Sequence, residues 1–176
     1  YFLASLPVDG TSTAVPLPGD ITLVWDASGS GATRDHGREY ALLDALFAST
    51  RQTRVRLVLA RDTAEPAGSF DVRQGDWSAL RQALQRVAYD GASNAAAWVP
   101  DASAAPAGSL VLLFSDGLAN WEGTERTAAP GGATLHAIQA ATRDDAARLR
   151  GLAEARGGRY VQLEGNDRSR NVVARF

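Results

Sequence analysis

The sequence predicts an α/β domain with a doubly wound, mostly parallel central sheet, helices on both faces and one short antiparallel edge strand. Three observations support this class. Short β-prone runs alternate with segments of helical periodicity along the chain, which is the order of doubly wound folds. Residues 110–114 (LVLLF) are apolar without alternation, which is typical of a strand buried on both faces of a parallel sheet. The 176 residues, 45% hydrophobic and 22% charged, fit one globular domain with a sizeable core.

Proline and glycine mark the expected limits of this domain. Three of the seven prolines lie in residues 1–20, so we expect a linker or the tail of a preceding domain there. The domain itself is expected over residues 21–165, followed by a C-terminal extension over residues 166–176. The sequence has no methionine, and we therefore interpret residue 1 as the start of a processed product or an excised domain.

The individual elements follow from apolar periodicity and from the residues at their boundaries. The helical segments begin at aspartates that suit a helix N-terminus, namely Asp35, Asp76 and Asp144. Turn chemistry over residues 62–68 separates the second and third strands and predicts a hairpin. Strands are predicted at 21–25, 55–60, 68–72, 110–114, 134–138 and 160–163, and helices at 36–48, 76–87 and 144–156.

Composition excludes several classes of function. The formal net charge is -2 and the pI about 5.7, so there is no basic excess to neutralise a nucleic-acid backbone. The sequence has no cysteine, which excludes disulfides, thiolate metal sites and cysteine nucleophiles but leaves the compartment open. The longest apolar runs are far shorter than the roughly 20 residues of a membrane helix, so we expect no membrane insertion by this fragment.

Polar side chains cluster after three of the apolar runs. Ligands of open α/β sheets bind beyond the carboxyl ends of the strands, so these loops are the candidate functional region. Their carboxylates, hydroxyls and one amide are hard oxygen ligands, which suit a small hard cation such as Mg²⁺. The three loops carry Asp26, Ser28 and Ser30, then Asp90, Ser93 and Asn94, and finally Ser115 and Asp116.

The motifs DASGS at 26–30, GAS at 91–93 and SDG at 115–117 closely resemble the metal-ion-dependent adhesion site of von Willebrand factor type A (VWA) domains. The resemblance covers roughly residues 21–163 and implies a Rossmann-like fold that binds proteins. It implies Mg²⁺, with Mn²⁺ or Ca²⁺ as alternatives, and a protein or peptide partner that completes the coordination with an Asp or Glu carboxylate. The implied roles are water-mediated binding by Asp26 and Asp116, and direct coordination by the hydroxyls of Ser28, Ser30 and Ser93.

Three further stretches resemble one bacterial branch of this family, in which an inter-alpha-trypsin-type (VIT) domain precedes the A domain. They are GDWSAL at 75–80, YDG at 89–91 and GGRY at 157–160. The resemblance implies that residues 1–6 are the tail of such a domain. It also favours a location in the cell envelope or outside the cell.

Two positions depart from the family pattern. Ser93 stands where a threonine is usual, which keeps the hydroxyl but removes the methyl group that restricts its rotamer. Gly31 stands where many members have a larger residue. These departures predict a low metal affinity. Asp90 or Asn94 are alternative oxygen donors in the same loop as Ser93.

The main prediction is therefore an interaction module without catalytic activity, and two alternatives belong to other classes. One is a scaffold module whose metal site is degenerate. The other is a phosphate-acting hydrolase with Asp26 as nucleophile, which is disfavoured because Ser28 replaces the second Asp and the sequence has no lysine. A serine hydrolase is disfavoured because no G-x-S-x-G motif surrounds Ser28 or Ser30.

Two histidines and two tryptophans lie near the predicted loops. We expect His36 to be a solvated surface residue and His136 to be a core or sheet-end histidine. Trp98 and Trp121 are expected to pack against their loops, with contact to a partner as the alternative.

Overall fold

The computed structural model describes residues 18–48, 50–100, 105, 108–121 and 132–164. Most of the expected linker over residues 1–20 and all of the extension over residues 166–176 lie outside them. The strands are Asp20–Asp26 (β1), Gln52–Ala60 (β2), Ala64–Arg73 (β3), Leu110–Phe114 (β4), Thr134–Gln139 (β5) and Tyr160–Gln162 (β6). The helices are His36–Phe47 (α1), Ser78–Gln85 (α2) and Ala146–Glu154 (α3), with 3-10 turns at Gly29–Thr33 and Ala95–Trp98.

The six strands form one sheet in the order β3-β2-β1-β4-β5-β6. All neighbours are parallel except β2 and β3, which pair antiparallel at one edge. This confirms the predicted fold class. The chain leaves β1 toward β2 but later returns to β4 on the other side of β1, so the strand order reverses between β1 and β4. Such a reversal opens a crevice beyond the carboxyl ends of the two strands.

The core has one layer on each face of the sheet. Alternate residues of β1 point to opposite faces, so Leu23 packs in the layer that contains α1 and α2, whereas Val24 packs in the layer that contains α3. All five residues of β4 are buried, as predicted for a strand covered on both faces. Helices on both faces and a nearly continuous apolar run at the centre are therefore confirmed.

Two of the three aspartates predicted at the helix starts, Asp35 and Asp76, accept backbone N–H groups there, and in the third helix the neighbouring Asp145 does so. Asp35 is the N-cap of α1 and its side chain accepts from Arg38 N. In α2 the N-cap position is Trp77, although the Asp76 carboxylate accepts from the first helical N–H at 3.0 Å. In α3 the N-cap is Asp145 rather than Asp144.

Strand β3 is longer than predicted, with ten residues instead of five. The hairpin turn occupies residues 61–63, and both Pro66 and Gly68 lie within the strand. The register shifts between Leu57 and Val58 of β2, directly opposite them. An edge strand with a bulge tolerates a proline that has no N–H to donate, which is why turn-forming residues here do not end the strand.

In the part of the chain that the structure describes, no helix has both the length and the apolar character needed to cross a membrane.

Candidate metal site

The site is built around Asp26, the last residue of β1, which is completely buried. Both carboxylate oxygens accept a hydrogen bond from a hydroxyl group. Ser28 Oγ donates to Oδ1 and Ser115 Oγ donates to Oδ2, each at 2.6 Å, and the Ser28 N–H also donates to Oδ1 at 3.0 Å. Because β1 and β4 are neighbours, one carboxylate thus holds together the loops that follow both strands.

Ser30 lies beside Ser28 in the same loop. Their hydroxyl oxygens are 3.3 Å apart, with Ser28 buried and Ser30 partly exposed. The fold therefore brings Asp26, Ser28 and Ser30 together as the motif predicts.

Asp116 follows β4 and is buried beside Asp26. Its Oδ1 accepts from the Leu118 N–H at 2.9 Å. Within the described part of the chain, the other oxygen, Oδ2, has no hydrogen bond of ordinary geometry, although the Ser30 hydroxyl lies near enough to the carboxylate to lower its pKa. Burial, reinforced by the charge of Asp26, raises the pKa of Asp116, while Leu118 N–H, Ser30 and Arg34 act in the opposite direction.

Gly117 completes the SDG motif for a steric reason. Its φ is +75°, and a Cβ at this position would lie 2.8 Å from Asp145 O and 2.9 Å from Leu149 Cγ. Only glycine allows α3 to start this close to the loop after β4. The start of α3 is fixed there by the Asp145 N–H, which donates to Asp116 O at 2.8 Å.

Ser93 comes from the loop before the 3-10 turn Ala95–Trp98, and it is 1% exposed. Its backbone N–H donates to Asn120 Oδ1 at 2.8 Å, and its carbonyl accepts from Asn120 and Trp121 N–H at 3.1 Å. No described residue forms a hydrogen bond with its hydroxyl. The backbone of Ser93 is thus fixed, whereas its side-chain oxygen is left available.

Backbone hydrogen bonds also tie the loop of Ser93 to the loop after β1. The Asp90 N–H donates to Ala27 O at 3.1 Å, and the Gly29 N–H donates to Gly91 O at 3.2 Å. The three predicted loops consequently meet at one end of the sheet, where two of them follow the parallel strands β1 and β4 and the third follows α2.

The two alternative donors in this loop are engaged elsewhere. The Asp90 side chain is 72% exposed and pairs with Arg61 at 2.9 Å. Asn94 Oδ1 accepts from the Ala96 N–H, while Asn94 Nδ2 donates to Asp62 O at 2.8 Å. Ser93 is therefore the better candidate donor in this loop.

The residues present fit a hard divalent cation. Two buried oxygens, Ser93 Oγ and Asp116 Oδ2, have no partner among the described residues, and a cation is one group that satisfies such oxygens. Residues 18–48, 50–100, 105, 108–121 and 132–164 contain no cluster of three or more His, Cys, Asp or Glu side chains placed to hold a metal. Binding would therefore depend on hydroxyl oxygens together with the two carboxylates, a donor set of the Mg²⁺ type.

Two residues at the site, Arg34 and Glu39, were not predicted from the sequence. Ser115 was named among the candidate oxygen ligands, and the structure shows that its hydroxyl donates to Asp26. Arg34 donates to Asp26 O at 2.7 Å and pairs with Glu39 at 2.8 Å, and both side chains are completely buried. A hydroxyl inside the motif signalled Ser115, but an arginine and a glutamate five residues apart normally indicate a solvated helix start.

The predicted burial or exposure of the two histidines and two tryptophans is confirmed for two of them and wrong for the other two. His136 and Trp98 are buried, as predicted. His36 is not a solvated surface residue, because its side chain is only 22% exposed and its Nδ1 lies 2.7 Å from Glu39 Oε2. The prediction that Trp121 packs against its loop is also wrong, since Trp121 is 59% exposed.

No protein-family model matches the chain, and no curated protein matches it. Several solved structures do match the chain. A von Willebrand factor type A protein from Catenulispora acidiphila aligns with a TM-score of 0.64 and 15% identity, over 90% of this chain and 41% of that one. An aerotolerance-related membrane protein from Bacteroides fragilis aligns with a TM-score of 0.64 and 13% identity, over 89% of this chain and 95% of that one.

Proximal thread matrix protein 1 from the mussel byssus, a structure with a zinc-occupied MIDAS motif, aligns with a TM-score of 0.62 and 17% identity. The alignment covers 88% of this chain and 44% of that one. The chain thus spans less than half the length of two of these three proteins. At these identities the comparisons establish the fold, which is that of von Willebrand factor type A domains.

Proposed function

We propose that this domain is a non-enzymatic interaction module that binds a protein or peptide partner through a divalent cation held by Asp26, Ser28, Ser30, Ser93 and Asp116. The observation that carries the proposal is the pair of buried oxygens, Ser93 Oγ and Asp116 Oδ2, that lack a partner among the described residues at the meeting point of three loops. The zinc-occupied MIDAS motif of a protein with the same fold supports it.

The hydrogen bonds of the site suit the roles that the motif implies. The Ser28 hydroxyl donates its proton to Asp26, so its lone pairs are left to face a cation. Asp26 already accepts from two hydroxyls and a backbone N–H, which favours contact through water rather than direct ligation. Asp116 is a buried carboxylate with a raised pKa, and a positive charge beside it would offset the cost of burial.

A bound divalent cation would supply an electrophilic position for an Asp or Glu carboxylate of the partner. Trp121 is the proposed apolar contact beside that carboxylate. Its backbone N–H bonds to Ser93 O, and its side chain is 59% exposed. Exposed tryptophans are frequent in the energetically important centre of protein interfaces.

The proposal extends to the setting of the domain. The GDWSAL and GGRY stretches favour a longer chain in which a VIT domain precedes this one. A location in the cell envelope or outside the cell fits such an adhesion role.

A second candidate function has an observation in its favour. The bonds from Ser28 and Ser115 to Asp26 hold the loops together by protein groups alone. This arrangement is compatible with a scaffold domain whose metal site is degenerate and whose partner binds elsewhere.

The test compares capture of a partner by the immobilised domain in Mg²⁺ and in EDTA. We expect capture from a lysate or envelope extract of the source organism to be lost in EDTA, lost with Asp116→Ala, and weakened with Trp121→Ala. Neutralising one acidic residue of the captured partner should have the same effect as EDTA. Equal capture in Mg²⁺ and EDTA would instead support the scaffold function. Hydrolysis of a phosphate monoester by the purified domain would contradict the assignment as a non-enzyme.

A further inference from the structure

Arg34 is a completely buried arginine in contact with the end of β1. Its Nη1 donates to Asp26 O at 2.7 Å and its Nε donates to Glu39 Oε1 at 2.8 Å. The guanidinium carbon lies 5.1 Å from the centroid of the Trp25 ring. One planar side chain therefore connects the end of β1, the first turn of α1 and the core.

Gly31 provides the space for this contact. A Cβ at position 31 would lie 2.7 Å from Asp26 O, 2.9 Å from Arg34 Nη1 and 3.3 Å from Tyr89 Cδ1. Both distances below 3.0 Å are shorter than real Cβ contacts, so a larger residue at 31 would require Asp26 O and the Arg34 guanidinium to shift. Gly31 therefore leaves the space that Arg34 occupies beside Asp26.

The contacts continue to the loop that carries Ser93. Glu39 Oε2 lies 2.7 Å from His36 Nδ1, and the His36 ring stacks on Tyr89 with centroids 4.9 Å apart. Tyr89 directly precedes Asp90, whose N–H donates to Ala27 O. The cluster formed by the buried Arg34 and Glu39 with the partly exposed His36 and Tyr89 thus contacts both loops that would hold the cation.

We propose that Arg34 is a positioning residue for the metal site: by bridging Asp26 O and Glu39, it holds the loop over residues 27–31 in its binding conformation before a cation arrives. The guanidinium is paired with Glu39 at 2.8 Å, so the proposed effect is one of geometry, which Arg34→Lys tests at constant charge. A lysine has one compact ammonium group and does not reproduce the planar fork that reaches both acceptors. The part of this proposal that concerns metal affinity rests on the proposed function.

Three variants separate the geometry of the bridge, its charge, and the loss of an arginine far from the site. Arg34→Lys keeps the charge but loses the fork. The double variant Arg34→Met with Glu39→Leu removes the buried ion pair and the bridge together, so that neither partner of the pair is left as an unpaired buried charge. Arg54→Met is the matched control, because Arg54 is an exposed arginine that pairs with Asp71 at the opposite end of the sheet.

The first readout is amide hydrogen exchange in EDTA, which does not depend on a metal. The N–H groups of Ala27, Gly29 and Gly31 bond to Ala60, Gly91 and Ser28 carbonyls at 2.9, 3.2 and 3.0 Å. We expect these three amides to exchange about tenfold faster or more in Arg34→Lys and in the double variant, since a hydrogen bond to a charged group is lost. Amides in the central strand β4 report global unfolding and should change far less.

The second readout is Mg²⁺ affinity by calorimetry. Loss of a group that orients metal ligands typically weakens binding by about 10- to 100-fold, and we expect a loss in this range for both Arg34 variants and none for Arg54→Met. The positioning role would be overturned if the loop amides of the double variant exchanged at the wild-type rate. It would also be overturned if Arg34→Lys matched the wild type in both amide exchange and Mg²⁺ affinity. If the wild type binds no Mg²⁺, the proposed function fails, while loop exchange still decides the role of Arg34.

Discussion

The two halves of the candidate site differ in how their polar atoms are satisfied. On the β1 side, both oxygens of the Asp26 carboxylate accept hydroxyl hydrogen bonds at 2.6 Å, and its carbonyl accepts from Arg34. On the other side, Ser93 and Asp116 are just as buried, yet each has a side-chain oxygen that no described residue contacts by a hydrogen bond.

This difference indicates that one half of the site contributes mainly to the stability of the fold and the other half mainly to ligand binding. Groups that are satisfied within the chain contribute to the stability of the fold, whereas buried groups without partners reduce it until a ligand satisfies them. We therefore expect substitutions on the β1 side to lower the free energy of unfolding. Substitutions on the Ser93 and Asp116 side should lower metal affinity with little change in stability.

The largest expected effect compares Asp26→Ala with Asp116→Ala. Asp26→Ala leaves two buried hydroxyls, those of Ser28 and Ser115, without their acceptor, and at about 1–3 kcal/mol for each we expect a loss of about 4 kcal/mol. Asp116→Ala removes one accepted N–H bond but also a poorly solvated carboxylate, so its loss should stay below about 1 kcal/mol. Urea unfolding in EDTA measures both, and equal losses would refute the distinction between the two halves.

The second prediction concerns His136, which lies outside the site and makes the free energy of unfolding depend on pH. Burial, assisted by Arg159, lowers the pKa of His136 to about 4 from 6.5, while its Nδ1 accepts from the Arg159 N–H. The unfolded chain therefore binds more protons between these values, so stability is lost as the pH falls from 6.5 toward 4, by up to about 3 kcal/mol.

His136→Asn is the matched variant for this effect, because its amide oxygen can replace the imidazole nitrogen as acceptor for the Arg159 N–H. We expect a flatter dependence of the unfolding free energy on pH in this interval. An unchanged slope would mean that other groups cause the acid sensitivity.

A smaller effect is expected from Mg²⁺ on the wild type. A cation that binds only the folded state stabilises it by RT ln(1 + [L]/Kd), which gives about 1.4 kcal/mol at about 10 mM Mg²⁺ and a Kd of about 1 mM. For a domain of this size, we expect a rise of about 3–6 °C in Tm. Asp116→Asn keeps an acceptor for Leu118 N–H and should abolish the rise. Identical melting of the wild type in Mg²⁺ and in EDTA would contradict an occupied site.

The smallest effect concerns the Ser93 hydroxyl. Ser93→Thr should bind Mg²⁺ more tightly because a β-branched side chain has fewer rotamers, and Ser93→Ala should bind it more weakly because the oxygen is gone. Without metal, Ser93→Ala should change stability by no more than about 1 kcal/mol, because the hydroxyl that it removes has no hydrogen-bond partner among the described residues. Calorimetric titration measures the affinities, with Asp90→Asn as a control that should match the wild type. Weaker binding by that control would place the donor at Asp90 instead.

The sheet and the outline of the site were predictable because they depend on local patterns. An apolar run such as Leu110–Phe114 needs cover on both faces, and parallel strands bring their carboxyl ends to one edge. The meeting of Asp26, Ser28 and Ser30 with Asp116 followed from this rule. Their ability to bind a cation stays a prediction.

The buried ion pair and the long edge strand were not predictable in the same way. Arg34 and Glu39 are completely buried, and Gly31 leaves the room beside Asp26 that the guanidinium occupies, a space that depends on the folded loop. Pro66 and Gly68 have turn propensity in isolation, but the pairing with β2 overrides it. Tertiary contacts decide both cases.

The irregular edge of β3 has a consequence for how the domain behaves in crowded surroundings. A ten-residue strand at the border of a sheet is a template for pairing with another copy, which is how many β-rich proteins aggregate. Pro66 removes one donor from the strand, and the register shift beside it interrupts the even spacing of the others. Two domains held close together would thus meet without a continuous row of hydrogen-bonding groups, which disfavours pairing of their sheets edge to edge.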